Sequence, residues 1–230
     1  MIYPMHHNTF ADDLKQSCID TWNKILNHTF LIEISTNALP IGKFIFYLKQ
    51  DRIFLIEFCS FLQAVKQKFH DDVHLAELFD KLLCSTINFE MQMQNQILNS
   101  LGISPDSSLN SIPSTTTLSY TSYLRNVSLS SSAADNMGKI VSAMAPCPWT
   151  YFEIAEKLSR YNIENDTYRK WVQFYSSSES FMQVEDLKKI LCALAKEASN
   201  KDKLVMKKYF ATACNYEFLF WDMDYNTTTT

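Results

Sequence analysis

Apolar residues recur at three- and four-residue intervals along most of the chain, the spacing that gathers them on one face of a helix. Over residues 9–28 they fall at Phe10, Leu14, Cys18, Trp22, Ile25 and Leu26. Pro40 opens a second segment, a place where proline is well tolerated, and Phe44, Tyr47, Leu48, Phe54, Leu55, Phe58, Leu62 and Val65 run on without a breaker. A third helix is expected over residues 73–101, with Leu78, Leu82, Ile87, Met91 and Leu98 on its face and Gly102 as its stop. Residues 103–116 are polar and proline-punctuated and predict a loop. Residues 118–127 read as helix, 128–135 as a serine-rich connection, and 137–159 as a helix with Pro146-Cys147-Pro148 in its interior. Helices over 163–175, 184–198 and 203–224 complete the set, and residues 225–230 are expected to fray. With no internal repeat and no long linker, the pattern predicts one all-α domain over residues 1–230, of about seven or eight helices.

Composition narrows the chemistry. The chain of 230 residues holds three glycines, far below the usual ~7%. Gly42, Gly102 and Gly138 lie dozens of residues apart, so neither a dinucleotide-binding fingerprint nor a phosphate-binding glycine loop can form. A net charge of −4 argues against a nucleic-acid partner, which needs a concentrated basic face. No window reaches 18 unbroken apolar residues, and the start lacks the basic and apolar regions of a signal peptide, so no membrane partner is expected. The six cysteines are dispersed without a metal-binding spacing, which predicts reduced thiols in the cytoplasm.

Four stretches carry candidate chemistry. In Met144-Ala145-Pro146-Cys147-Pro148-Trp149-Thr150-Tyr151, prolines on both sides of Cys147 disturb the helical ladder, and Tyr151 falls on the same face as the cysteine. A kinked helix with an inert thiol is the alternative, since a reactive cysteine needs something to stabilise its thiolate. Asp51 stands within an otherwise apolar helix, costly unless it is paired or faces solvent beside Arg52. Glu217 lies among Phe218, Phe220 and Trp221, surroundings that desolvate a carboxyl and raise its pKa; an exposed Glu is the competing reading. His70 and His74 have metal-ligand spacing on a helix but lack the accompanying glutamate, and surface histidines are the better reading, so no metal is expected. The 16 Phe, 11 Tyr and 4 Trp are mostly core, yet several tyrosines on apolar faces imply a polar pocket inside the bundle.

Taken in order, Leu39-Pro40, Gln50-Asp51 with Phe54 and Leu55, Pro146 to Ile154, Trp171 to Ser176 and Glu217 to Trp221 resemble the TenA (thiaminase II) family. The resemblance runs from about Phe10 to Met223. It implies a heme-oxygenase-like helical bundle that binds no heme, needs no cofactor and assembles as a homotetramer. It also implies hydrolysis of 4-amino-5-aminomethyl-2-methylpyrimidine to hydroxymethylpyrimidine and ammonia in thiamin salvage, with thiamin as a further substrate. On this resemblance Cys147 is the nucleophile, Glu217 the acid/base carboxylate and Asp51 the grip on the ring nitrogen and 4-amino group. Phe54 takes the position that stacks on the pyrimidine, and Tyr120, Tyr151 and Tyr175 those of pocket tyrosines.

The residue types suit such chemistry independently. A soft thiolate adds to an electron-poor ring carbon, a carboxylate holds the tautomer that makes the ring electrophilic, and one carboxyl of raised pKa serves both amine departure and water activation. Departures from the family pattern lie in the serine-rich 128–135 connection, an added residue in Ser176 to Phe181, Ala155 in place of glycine, and a Met-Gln-Met-Gln run after Glu90 where a histidine is expected. Two other classes stay open: a non-catalytic pyrimidine-binding or regulatory protein, which needs no nucleophile, and a metal-dependent oxygenase. The five histidines, all in the first third of the chain, argue against the latter.

Overall fold

The computed structural model describes residues 9–105, 111–129 and 137–226, and among them there are helices and no strands. The elements are α1 (Phe10–Ser17), α2 (Ile19–Leu26), α3 (Thr29–Ser35), α4 (Ile41–Lys68), α5 (Val73–Ser85), a π-helical turn (Thr86–Glu90) and α6 (Met91–Ser100). After them come α7 (Thr115–Leu129), α8 (Met137–Met144), α9 (Pro146–Leu158), α10 (Asp166–Tyr175), α11 (Ser178–Glu197) and α12 (Asn200–Asn226). Several are consecutive pieces separated by short breaks, and the described residues form the all-α bundle that the periodicity predicts.

Local chemistry explains most boundaries. Thr9 and Asp12 form a reciprocal capping box on α1, Asn165 caps α10 and Ser177 caps α11 with their side chains. Pro40 caps α4, whose first turn has no use for its missing donor. Gly102 sits at φ 72° just past α6, where Ile103 N–H reaches back to Leu98 O over 2.9 Å, so the glycine stops the helix as expected.

Elsewhere the structure corrects the periodic reading. The helix expected over 9–28 breaks at Cys18 (φ −130°, ψ 27°), which no proline or glycine announces; its Sγ lies 3.4 Å from Sγ of Cys214. Helix α3 was not foreseen. It is capped by the ring of His28, not a usual capping residue, and buries Phe30, Leu31 and Ile34. Pro146-Cys147-Pro148 stands in the first turn of α9 and not inside a helix, so the prolines start a rod where they cost little. Helix α12 carries Tyr225 and Asn226, two residues of the expected frayed tail; 227–230 lie outside the described residues, as do 106–110 of the predicted loop and 130–136 of the serine-rich connection.

The core is built around α4, α9 and α12. Along α12 the buried residues are Met206, Phe210, Ala213, Cys214, Glu217, Phe220, Trp221 and Asp224, a continuous three-and-four stripe. Helix α12 packs on α8, α2, α9, α7 and α4, and α4 packs in turn on α7, α5 and α6. At Gly138 on α8 a Cβ meets Met206 Sδ of α12 at 2.8 Å, so a larger residue there displaces the methionine side chain. No helix among the described residues is long and apolar enough to cross a membrane.

Candidate active site

Two carboxylates occupy places in apolar stripes. Asp51 lies between Leu48 and Phe54 on the inner face of α4, and Glu217 between Cys214 and Phe220 on α12; they are 3% and 2% exposed. Both solvent-facing alternatives are therefore excluded. A carboxylate so placed costs several kcal/mol unless it is hydrogen-bonded or protonated, and the structure supplies both remedies.

Glu217 accepts the phenol hydrogen of Tyr120, on α7, at Oε1 over 2.6 Å, and the Cys147 thiol also lies within hydrogen-bonding range of it. Burial raises this carboxyl to about 7, and the Tyr120 and Cys147 hydrogen bonds oppose the rise. Asp51 receives Gln94 Nε2 at 2.7 Å and Tyr47 OH at 3.2 Å, both on Oδ2, an arrangement that leaves Oδ1 for a ligand. Burial first, then the charges of Glu90 and Glu217, hold Asp51 well above the usual carboxylate range. Trp171 Nε1 donates to Tyr47 OH at 3.0 Å, fixing the phenol that serves Asp51.

Cys147 is in the first turn of α9, with Tyr151 one turn on along the same face. Its thiol is pushed well above the ordinary range, first by burial and then by the negative charge of Glu217, Glu90 and Asp51. Resting Cys147 is thus a thiol, and the carboxylate beside it is the group placed to take its proton.

Asp51, Phe54, Tyr120, Cys147, Tyr151, Glu217 and Phe220 converge on one pocket, packed so closely that no water-sized space is left between them. Phe54 is 4.9 Å from the Tyr120 ring and 5.9 Å from Phe220, centroid to centroid, so the walls are flat and aromatic. Six of the seven residues proposed from the sequence meet here. The seventh, Tyr175 on α10, lies in an adjoining cleft of about 40 Å³ that shares Cys147 and Tyr151 with the first. Together a thiol, a carboxyl of near-neutral pKa and a neutral carboxylic acid around a flat slot can bind an aromatic heterocycle, attack it and move a proton.

Sequence reasoning missed Tyr47, Phe220, Gln94 and Glu90. The expected face of the third helix, with Ile87 and Met91, is displaced: Ile87 is 40% exposed, while Thr86, Glu90 and Gln94 continue inward from Leu82. The signal was a polar run at four-residue spacing in line with Leu82. The π-helical turn at Thr86–Glu90 aims Glu90 at Tyr175, whose phenol donates to Glu90 Oε1. Burial raises Glu90 to about 7.

His70 and His74 are exposed on the rim of the bundle, away from these cavities. Among the described residues no group of three or more His, Cys, Asp and Glu side chains converges to hold a metal ion.

Residues 16–227 match the model of the TENA/THI-4/PQQC family. The chain is 35% identical over 221 residues to an aminopyrimidine aminohydrolase of Halalkalibacterium halodurans, covering 95% of this chain and 96% of that protein. It is 28% identical over 216 residues to an aminopyrimidine aminohydrolase of Bacillus subtilis, covering 94% and 89%. In three dimensions it is similar to a TenA homologue from Pyrococcus furiosus, with a TM-score of 0.84 at 25% identity over 94% of this chain and all of that one. A Shewanella denitrificans domain with a heme oxygenase-like fold aligns at a TM-score of 0.70 and 13% identity, covering 93% and 90%.

Proposed function

Because this chain belongs to the TENA/THI-4/PQQC family, we propose that it is an aminopyrimidine aminohydrolase of thiamin metabolism, a hydrolase of C–N bonds. Its substrate is 4-amino-5-aminomethyl-2-methylpyrimidine, which water converts to the hydroxymethylpyrimidine and ammonia. The observation that carries this reading is the meeting of Cys147, Glu217 and Asp51, from three different helices, around one aromatic cavity.

The ring lies against Phe54, with its amino-pyrimidine edge on Asp51. With Oδ2 taken by Tyr47 and Gln94, a protonated Asp51 donates from Oδ1 to the ring nitrogen. Glu217 takes the Cys147 proton as the sulfur adds to an electron-poor ring carbon. Glu217 then passes that proton to the amine nitrogen, the C–N bond breaks with its electron pair going to nitrogen, and ammonia departs. Water adds to the exocyclic carbon as Glu217 takes its proton. Expulsion of the sulfur, reprotonated by Glu217, restores the ring and the enzyme. One carboxyl serves every transfer because its pKa lies near neutrality, so neither gaining nor losing the proton is costly. Tyr120 holds Glu217 toward the sulfur, while Tyr151 and Tyr175 shape the mouth of the site.

The same reading places the protein in the cytoplasm as a homotetramer forming one domain per chain. Dispersed free cysteines support the compartment, and exposed apolar side chains such as Phe89 (60%) and Leu204 (67%) support assembly.

Ammonia release from the aminomethylpyrimidine, with thiamin in parallel as a second substrate, tests the proposal. Wild type is expected to turn over the aminomethyl compound and Cys147→Ala to lose at least about a thousandfold in kcat. Full activity in Cys147→Ala removes the cysteine from the mechanism. Binding of the pyrimidine without turnover by wild type favours a non-catalytic binding protein.

A further inference from the structure

The ring cavity and the adjoining cleft meet at Cys147 and Tyr151, which line both. A pyrimidine seated between Asp51 and Phe54 needs these closely packed side chains to part, and its exocyclic substituent then has the adjoining cleft, about 40 Å³ in this structure, to enter. The polar wall of that cleft is Ser85, Thr86, Glu90, Tyr175, Ser180 and Gln183. No Lys, Arg or His lines it, and Glu90 is the one charged group among its described residues. The π-helical turn that ends on Glu90 and the hydrogen bond from Tyr175 fix the carboxylate in place.

We propose that this cleft is the leaving-group subsite and that Glu90 makes it select leaving groups that are cationic, or become cationic, as the C–N bond breaks; this rests on the hydrolase reading above. When Glu217 delivers its proton to the amine, the leaving nitrogen carries a positive charge until the bonding pair of the C–N bond transfers to it and neutral ammonia departs. Glu90, with its carboxyl at about 7, is the counter-charge for that interval once pH exceeds that value, so the rates are compared at pH 8. A leaving group that already carries a fixed charge, such as a quaternary heteroaromatic nitrogen, meets the same carboxylate from the outset. An uncharged amide nitrogen, weakly basic and poor at holding a proton, gains little from it. Glu90 is thus a specificity-determining residue of the larger half of the site.

The test compares aminomethylpyrimidine with its uncharged N-formyl derivative in wild type, Glu90→Gln and Gln183→Lys, the last adding a positive charge to the same cleft. The readout is the ratio of kcat/KM for the amine to that for the amide, which a general loss of packing leaves alone. Glu90→Gln is expected to lower the ratio about 10- to 100-fold, the worth of one charge-assisted hydrogen bond, and Gln183→Lys to lower it in the same direction. Should Glu90→Gln fail to fold, Gln183→Lys carries the test alone. An unchanged ratio in an active variant overturns the subsite proposal and leaves the hydrolase standing. Wild type that hydrolyses neither compound overturns the hydrolase reading, and the subsite falls with it.

Discussion

Tyr120 and Glu217 stand 97 positions apart in the chain, yet the tyrosine hydroxyl donates to Glu217 Oε1 across 2.6 Å with both residues buried. The bond is one of two that oppose the effect of burial on the Glu217 carboxyl, which still reaches about 7. Tyr120→Phe removes it without removing the ring. The Glu217 pKa then rises, less of it is ionised at neutral pH to accept the Cys147 proton, and kcat falls about 5- to 10-fold at pH 7. A pH–rate profile checks this: the limb governed by Glu217 moves to higher pH in the variant and much of the lost rate returns under alkaline conditions. An unmoved limb sinks the account.

Asp51 offers a contrast between two substitutions. Held protonated by burial, with Oδ2 taken by Tyr47 and Gln94, it shows a ligand one donor, and so does the amide N–H of asparagine. Asp51→Asn is therefore expected to keep product affinity within about tenfold, whereas Asp51→Ala loses about 100-fold or more. Calorimetry with hydroxymethylpyrimidine measures both. Equal losses in the two variants mean that Asp51 binds as a carboxylate against a protonated ring.

Stability has its own pH dependence. The Glu217 carboxyl sits at about 7 in the folded protein against an ordinary 4.5. Its folded-state pKa is raised, so its contribution is fully present below pH 4.5 and is lost as pH rises through 7. At about 1.4 kcal/mol for each pH unit of separation, roughly 3 kcal/mol is lost over that window from this one group. Urea unfolding of wild type and Glu217→Gln at pH 5 and pH 8 isolates it: the wild type weakens toward pH 8 by that amount more than the variant. Parallel pH dependence in the two proteins counts against it.

Glu153 anchors a structural knot away from the site. Its oxygens accept Trp22 Nε1 at 2.9 Å and Trp149 Nε1 at 2.8 Å, and Lys15 Nζ at 2.7 and 2.8 Å. Both indoles are buried, so Glu153→Ala strands two donors and costs about 3 kcal/mol. Chemical denaturation should show that loss with kcat unchanged. A loss below about 1 kcal/mol means that water satisfies the indoles instead.

The periodic spacing of apolar residues determined, by itself, that this chain is helical and where most rods begin and end, because helix formation and capping depend on neighbours within one or two turns. It also exposed Asp51 and Glu217, since a carboxylate set in an apolar stripe is visible without coordinates. Prolines on both sides of Cys147 and tyrosines on apolar faces marked those residues as well, and the resemblance read from ordered motifs assigned their roles. What only the tertiary structure decided is of another kind. The break at Cys18 answers to Cys214 across the bundle, and the inward turn of Thr86, Glu90 and Gln94 answers to Tyr175 and Asp51 on other helices. Ile87, apolar and correctly spaced, ended outside because polar neighbours with buried partners took the inner face. A hydrogen bond between residues far apart in sequence leaves no local signature, and the charge state of a carboxylate depends on what surrounds it after folding.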